Sequence, residues 1–299
     1  MSEQRPTRKR ATGSRAASSG RAGDASAFYV YCVGEGDRLA PLLGDEAPEA
    51  IEDSSGLELV TAGALAAVVS AVPLADYGEE GLAARLADAS WTATRALRHE
   101  RAVEHFARRA AVVPLRFGTI YLRRESVARM LEERGASLGA ALARVAGREE
   151  WGVNLYVERG VLRGEVERVS PRLREMAARA AASPPGQAYL LRKKIEAARD
   201  EEARAETRRA AAEVEARLRA ASDGAARLRV LKDEAAEQGE VAAKLAFLVT
   251  RAKFDAFRAA AERLAEEYTP LGFRLELTGP WPAYNFVASG DEERLEAGG

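Results

Sequence analysis

The sequence is poor in the residues that most chemistry needs. It holds one cysteine, Cys32, and two histidines, His99 and His105. One thiol excludes an internal disulfide and a multi-cysteine metal site. Cys32 also sits inside an apolar stretch, where the thiolate is disfavoured. Six residues on a helix turn through about 240°, so the two histidines share no face and make no metal pair. His99 reads as a satisfied helix residue. Long apolar runs are missing too. The longest, residues 64–75, is interrupted by Ser70 and Pro73 and falls short of the ~18 residues of a membrane-spanning helix. No apolar signal region follows the first residues. The net charge is −1, which gives no basic field for nucleic acid. There is no Walker loop, no GxSxG elbow and no HExxH. Gly34-Glu35-Gly36 begins a dinucleotide pattern, but Leu39 stands where the third glycine belongs. The carboxylate pairs Glu132-Glu133, Glu149-Glu150 and Glu266-Glu267 read as solvated faces, not acid/base dyads. These absences imply a cytoplasmic, soluble, non-enzymatic protein with no cofactor, no metal, no nucleic acid and no membrane among its partners.

What is present divides the chain into four parts. Residues 1–26 hold six of the 45 basic residues and only two of the 46 acidic ones, spaced by Ser, Gly and Ala; this reads as a disordered basic tail. It leaves a body of net charge −5. Residues 27–149 read as an N-terminal α+β domain. A buried strand is expected at 27–33, and a hairpin over 57–72 turning near Gly63. Helix is expected over 79–111, broken at Ser90 acting as an N-cap. A strand at 112–120 should be an edge or a bulge because of Pro114. An amphipathic helix carries Val127, Met130, Leu131, Leu138, Leu142 and Val145, weakened by Gly135 and Gly139.

Residues 150–288 follow a clearer order, with residues from 289 on expected to fray. A strand is expected over 151–157, then a polar segment with Pro171, then a helix over 187–221 that contains neither Gly nor Pro. At ~1.5 Å per residue this helix is about 50 Å long. Its middle is alanine-rich, so it either projects into solvent or packs closely on another helix. Strands over 225–231 and 241–250, a helix over 251–268 and a final strand complete the order strand, helix, strand, strand, helix, strand. That is the βαββαβ plan of a ferredoxin-like domain, here with a long helical arm. The fold class is therefore α+β in two domains.

The final strand leads into the most distinctive stretch, LGFRLELTGPWPAYNFV at 271–287. Phe273, Leu275 and Leu277 alternate with polar residues, and Gly279 and Pro280 are expected to stop the strand. Trp281 then lies between two prolines, with Tyr284 and Phe286 close behind. Two readings compete: a corner that closes the core, which is favoured here, or a rigid aromatic edge for a partner.

Several blocks resemble one family. Tyr29-Val30-Tyr31, Val113-Pro114-Leu115-Arg116-Phe117-Gly118-Thr119, Glu150-Trp151-Gly152-Val153, Ala188-Tyr189-Leu190-Leu191-Arg192-Lys193-Lys194 and Thr278-Gly279-Pro280-Trp281-Pro282 occur in the order found in the gas vesicle protein F/L group. The resemblance spans roughly residues 27–288 and leaves open whether the chain is F-like or L-like. It implies a non-enzymatic accessory protein of gas vesicle assembly, located on or near gas vesicles. The implied partners are the hydrophobic shell protein and other accessory proteins. Arg116, Phe117, Trp281 and Tyr284 are the candidate partner-binding residues. The alternative is a ferredoxin-like ligand-binding protein or enzyme, which would need a pocket of converging polar groups with shifted pKa values.

Overall fold

Two antiparallel sheets organise the chain, and each is built around a strand whose both faces are buried. The computed structural model describes residues 26–44, 46–230 and 239–287, with the backbone alone at 235–236. Residues 1–25 of the basic tail and residues 288–299 lie outside the described residues.

The first half runs β1 (Ser26–Glu35), α1 (Gly36–Leu39), β2 (Glu58–Ala62), β3 (Leu65–Pro73), α2 (Leu74–Tyr77), α3 (Glu79–Leu86), α4 (Ala89–Ala107), β4 (Val112–Pro114), β5 (Ile120–Tyr121), α5 (Arg124–Glu133) and α6 (Gly135–Val145). Its sheet has the order β2-β3-β1-β4, with β5 also paired to β1. Side chains alternate between the faces of a strand. A register shift between Val30 and Cys32 interrupts that alternation in β1, so Val30 and Val33 both join Val127, Leu131, Leu138 and Leu142 of α5 and α6. Tyr29 and Tyr31 meet Val103 and Phe106 of α4 on the other side. The expected hairpin is present, turning at Gly63 with φ +60°.

Three local expectations need correction. The break in the helical region is capped by Asp88, not Ser90: the Asp88 carboxylate accepts from the backbone N–H of Ser90 (3.0 Å) and Trp91 (3.1 Å). The expected strand at 112–120 is two short strands, β4 and β5, separated by a turn in which Gly118 adopts φ +87°. The single amphipathic helix is two, α5 and α6, meeting at Arg134 and Gly135.

The second half runs β6 (Arg148–Val157), α7 (Arg159–Val169), α8 (Pro171–Ala181), α9 (Pro185–Ala220), β7 (Gly224–Leu228), β8 (Ala235–Ala236), β9 (Gly239–Thr250), α10 (Phe254–Tyr268), β10 (Phe273–Trp281) and α11 (Tyr284–Val287). The sheet order is β10-β6-β9-β7, with β8 on β9, and every pairing is antiparallel. Val153, Leu155, Leu245 and Phe247 form one face, covered by Val214 and Leu218 of α9 and by Phe257 and Leu264 of α10. The alanine-rich middle of α9 is not bare. Ile195, Ala198 and Ala203 pack with Val166, Leu173 and Met176 of α7 and α8. The small side chains permit this close approach. Glu202, also in that middle, is buried and accepts from Ser170 Oγ (2.7 Å) and Arg172 (3.0 Å).

The halves share apolar contacts. Leu248, Ala283 and Val287 pack in the same cluster as Val33, Val113 and Val145. The segment after β10 thus returns to the first sheet.

Candidate functional site

The C-terminal stretch behaves differently from either simple reading of it. Pro280 does not end β10. Thr278 pairs with Gly152, and the next pair is Trp281 with Glu150. Three steps on β10 therefore match two on β6, which is a bulge of one residue. A one-residue slip moves every later side chain to the opposite face. Trp281 leaves the face of Leu275 and Leu277 and joins that of Gly152. Gly279, at the slip, has φ +124°, and a Cβ there would stand 3.0 Å from the Glu150 carbonyl oxygen. The expectation of a core corner is thus corrected: Trp281 is 53% exposed. Its Nε1–H donates to Thr278 Oγ1 at 3.1 Å, which fixes the ring on the sheet edge.

Trp281, Pro280 and Pro282 form one wall of a groove of about 50 Å³, with Ala107 and Arg108 of α4 and Val145 of α6 opposite. Ligand pockets measure ~300–1,000 Å³, so this groove takes a side chain and not a small molecule. Its charged members are engaged, Arg108 with Glu104, Glu149 with Arg251, and Arg148 with the backbone carbonyl of Arg144 (2.6 Å). A wider groove of about 560 Å³ shares Ala110 and Ala111 with it and is lined by Leu65, Gly139, Leu142 and Ala146.

Trp281→Ala is expected to change stability by no more than ~1 kcal/mol, because an exposed ring leaves no cavity behind. A urea titration measures this; a loss of ~3 kcal/mol would show that the ring is packed.

Beyond Trp281 the chain turns inward. Tyr284 O–H donates to the Glu100 carboxylate (3.1 Å) and its oxygen lies 3.2 Å from His99 Nε2. His99 Nδ1 lies 2.9 Å from the Tyr29 hydroxyl, which in turn accepts from Gly118 N–H (3.1 Å). With a neutral ring and Tyr284 donating to Glu100, one run of donors satisfies all four contacts: Gly118 N–H donates to Tyr29, Tyr29 O–H to His99 Nδ1, His99 Nε2–H to Tyr284, and Tyr284 O–H to Glu100. Burial lowers the His99 pKa to about 4, which favours the neutral ring. Burial likewise raises the pKa of Tyr29 and of Tyr284. These shifted groups face one another and are hydrogen-bonded among themselves.

The four predicted contact residues are dispersed. Phe117 and Tyr284 come together: the Phe117 ring lies 5.9 Å from His99 and 6.3 Å from Tyr29. Both are half-buried. Arg116 is exposed on the adjoining turn, where its carbonyl accepts from Thr119 N–H (3.2 Å) and Oγ1 (2.7 Å). Trp281 stands apart in the groove.

Glu150 was not singled out as a solitary group by its sequence. The Glu149-Glu150 pair is split by strand alternation, and only Glu149 has the solvated character expected of the pair. Glu150 is 4% exposed and lies on a strand, not beside a helix. It accepts from Asn285 N–H (3.0 Å) and Nδ2 (2.5 Å), and burial raises its pKa. Glu150 thus ties β6 to α11.

Among the described residues no group of His, Cys, Asp and Glu is placed to hold a metal, and no helix is long and apolar enough to cross a membrane. The family model described as gas vesicle synthesis protein GvpL/GvpF matches residues 27–288. The chain belongs to the GvpL/GvpF family. It is 32% identical over 248 residues to gas vesicle protein L of Streptomyces sp. (strain CB03234), covering 80% of this chain and 87% of that protein. The crystal structures of GvpF from Microcystis aeruginosa and from Anabaena sp. PCC7120 each align with a TM-score of 0.59, at 14% and 16% identity. They cover 88% and 89% of this chain and 99% and 97% of theirs. At that identity the likeness is one of fold. In this GvpL/GvpF-family chain, the blocks 29–31 and 113–119 meet at the Gly118–Tyr29 hydrogen bond, and the blocks 150–153 and 278–282 pair across β6 and β10.

Proposed function

We propose that the chain is a non-enzymatic accessory protein of gas vesicle assembly. In this reading it binds the hydrophobic shell protein and other accessory proteins as an adaptor, in the cytoplasm and at the vesicle. Family membership supplies the process. The observation that carries the binding role is the exposed Trp281, fixed on a bulged strand edge at the mouth of an apolar groove. Trp at such a position is the residue type most enriched among interface hot spots. The adjoining wider groove is lined by the small residues Ala110, Ala111, Gly139 and Ala146 together with Glu35, Arg38 and Arg109, which suits the close approach of an amphipathic helix. A shell subunit with one very apolar face needs such cover before it assembles.

In the same reading, residues 27–149 and 150–288 are the two domains, and the order β10-β6-β9-β7 supports a ferredoxin-like plan for the second. Arg116 is a second contact, and Phe117 and Tyr284 hold the turn and the C-terminal segment in place behind the contact surface.

The test is capture of the purified shell protein by the wild-type chain and by Trp281→Ala. The variant is expected to keep its denaturation midpoint and to bind at least ~30-fold more weakly, as for loss of a ~2 kcal/mol hot spot. Unchanged binding would remove Trp281 and its groove from the contact.

A further inference from the structure

The charges of this chain are segregated along the fold. Residues 35–90 contain twelve acidic residues and only two arginines. Residues 171–194 contain six basic residues and one acidic. The second stretch is the hairpin of α8 and the start of α9. It lies at the end of a helix of 36 residues, about 30 Å from where that helix first packs on the sheet at Ala210, at ~1.5 Å per residue.

That tip is unpartnered in a specific way. Arg192, Lys193 and Lys194 are exposed and make no ion pair with the described residues; Lys193 Nζ lies only over the Tyr189 ring, at 5.3 Å. Arg174 and Arg179 on α8 are exposed as well. Tyr189 is 56% and Leu190 60% exposed beside them. Further along α9, Arg199 pairs with Glu167 and Glu196 and Arg209 with Glu206, while Arg204 and Arg208 are exposed without an ion pair among the described residues. The open cations are densest at the tip, where Arg174, Arg179, Arg192, Lys193 and Lys194 gather.

Much of the acidic stretch is paired within the chain, Glu52 with Arg95, Glu49 and Asp53 with Arg98, Glu58 with Arg124 and Asp76 with Arg85, and the carboxylates at the start of α3 are left open. On α3, Glu79, Ala83 and Leu86 share a face. Glu79 and Glu80 are exposed without an ion pair to the described residues, and Leu86 is exposed too. An exposed apolar side chain among open carboxylates is what a tip of tyrosine, leucine and three cations fits.

We infer that the α8–α9 tip, centred on Tyr189, Leu190 and Arg192–Lys194, docks on the acidic α3 face of a second copy of the same chain. A tip on one surface and its receptor on another make a heterologous contact, so association is head to tail and does not stop at a dimer. This goes beyond the shell-protein reading and uses a different surface from the Trp281 groove.

Sedimentation velocity tests it with the full-length chain. At an ionic strength of about 0.02 M the average mass of the wild type should rise with concentration beyond a dimer; at about 0.5 M it should return to the 32.2 kDa monomer, because exposed charges are then screened. The triple reversal Arg192→Glu, Lys193→Glu, Lys194→Glu and, separately, Glu79→Lys with Glu80→Lys should each weaken association at least tenfold. Mixing the two variants should restore it, since each then meets a complementary surface. Tyr189→Ser with Leu190→Ser should weaken association at unchanged charge. All these positions are exposed, and circular dichroism checks that the variants fold. A wild type that stays monomeric at low ionic strength would overturn the inference, as would association indifferent to reversal of the tip. Capture of a monomeric wild type by phosphatidylserine vesicles, lost on reversal, would assign the tip to an anionic surface and overturn it equally.

Discussion

Glu150→Ala should lower stability by about 1–2 kcal/mol. The Glu150 carboxylate is the acceptor for two donors of Asn285, its backbone N–H and its side-chain amide. Removing it takes away both bonds; Glu150 is almost fully covered but Asn285 is exposed, so water replaces the acceptor in part, and each lost bond costs ~0.5–1.5 kcal/mol. Glu150→Gln separates charge from shape. Its Oε1 can still accept one bond, while its amide opposes the other donor, so about half the loss is expected. The pH dependence has a defined sign. Burial raises the folded pKa of Glu150, so its contribution is fully present below the ordinary carboxylate pKa and declines as pH rises through the folded value. Urea titrations of the three proteins at neutral and at acid pH measure both effects. A loss below ~1 kcal/mol for the alanine variant would mean that Glu150 does not hold α11.

His99 should make the chain weaken in mild acid. Its pKa is about 4 when folded, against 6.5 for the free ring. Between those values the unfolded chain binds a proton that the folded chain does not. Stability therefore falls as pH drops through 6.5, and the loss levels off near 4. From pH 7 to pH 5 the linkage amounts to about 2 kcal/mol. The structural consequence is specific. A protonated ring has no acceptor nitrogen for the Tyr29 hydroxyl, so the chain of bonds from Gly118 to Glu100 breaks at its centre. Glu100 and Glu150, whose pKa values burial raises, change stability in the opposite direction over this range. The readout is thus the difference between wild type and His99→Gln. The variant, though less stable at neutral pH, should lack the acid-dependent loss. Equal slopes in the two proteins would show that His99 binds its proton equally in the folded and the unfolded chain.

Much of this architecture could be read from residue order because it rests on local rules. The long helix was visible as a stretch, 187–221, without glycine or proline after Ser183-Pro184-Pro185-Gly186; it is found one to two residues from its expected ends and takes Pro185 and Gly186 into its first turn. The hairpin at Gly63 was visible because β-rich runs flank a residue suited to positive φ. The split into β4 and β5 was not, since Gly118 reaches φ +87° only in a turn whose N–H is claimed by Tyr29, 89 positions away.

The site residues divide in the same manner. The composition by itself determined that catalysis has few groups to use, and the order of family blocks determined what the chain resembles. Trp281 could not be placed from alternation, because the parity that would bury it holds only until a one-residue bulge at Gly279 and Pro280 reverses it. Glu150 could not be told from Glu149, because adjacent strand residues face opposite sides and only the arrival of Asn285 makes one side an interior. His99 was legible as a satisfied residue, yet its partners Tyr29 and Tyr284 lie 70 and 185 positions away. The sequence alone determined the elements, through short-range sterics and hydrophobic period. The tertiary structure alone decided which polar groups are buried and which aromatic is left exposed, because both depend on the register and packing of segments distant along the chain.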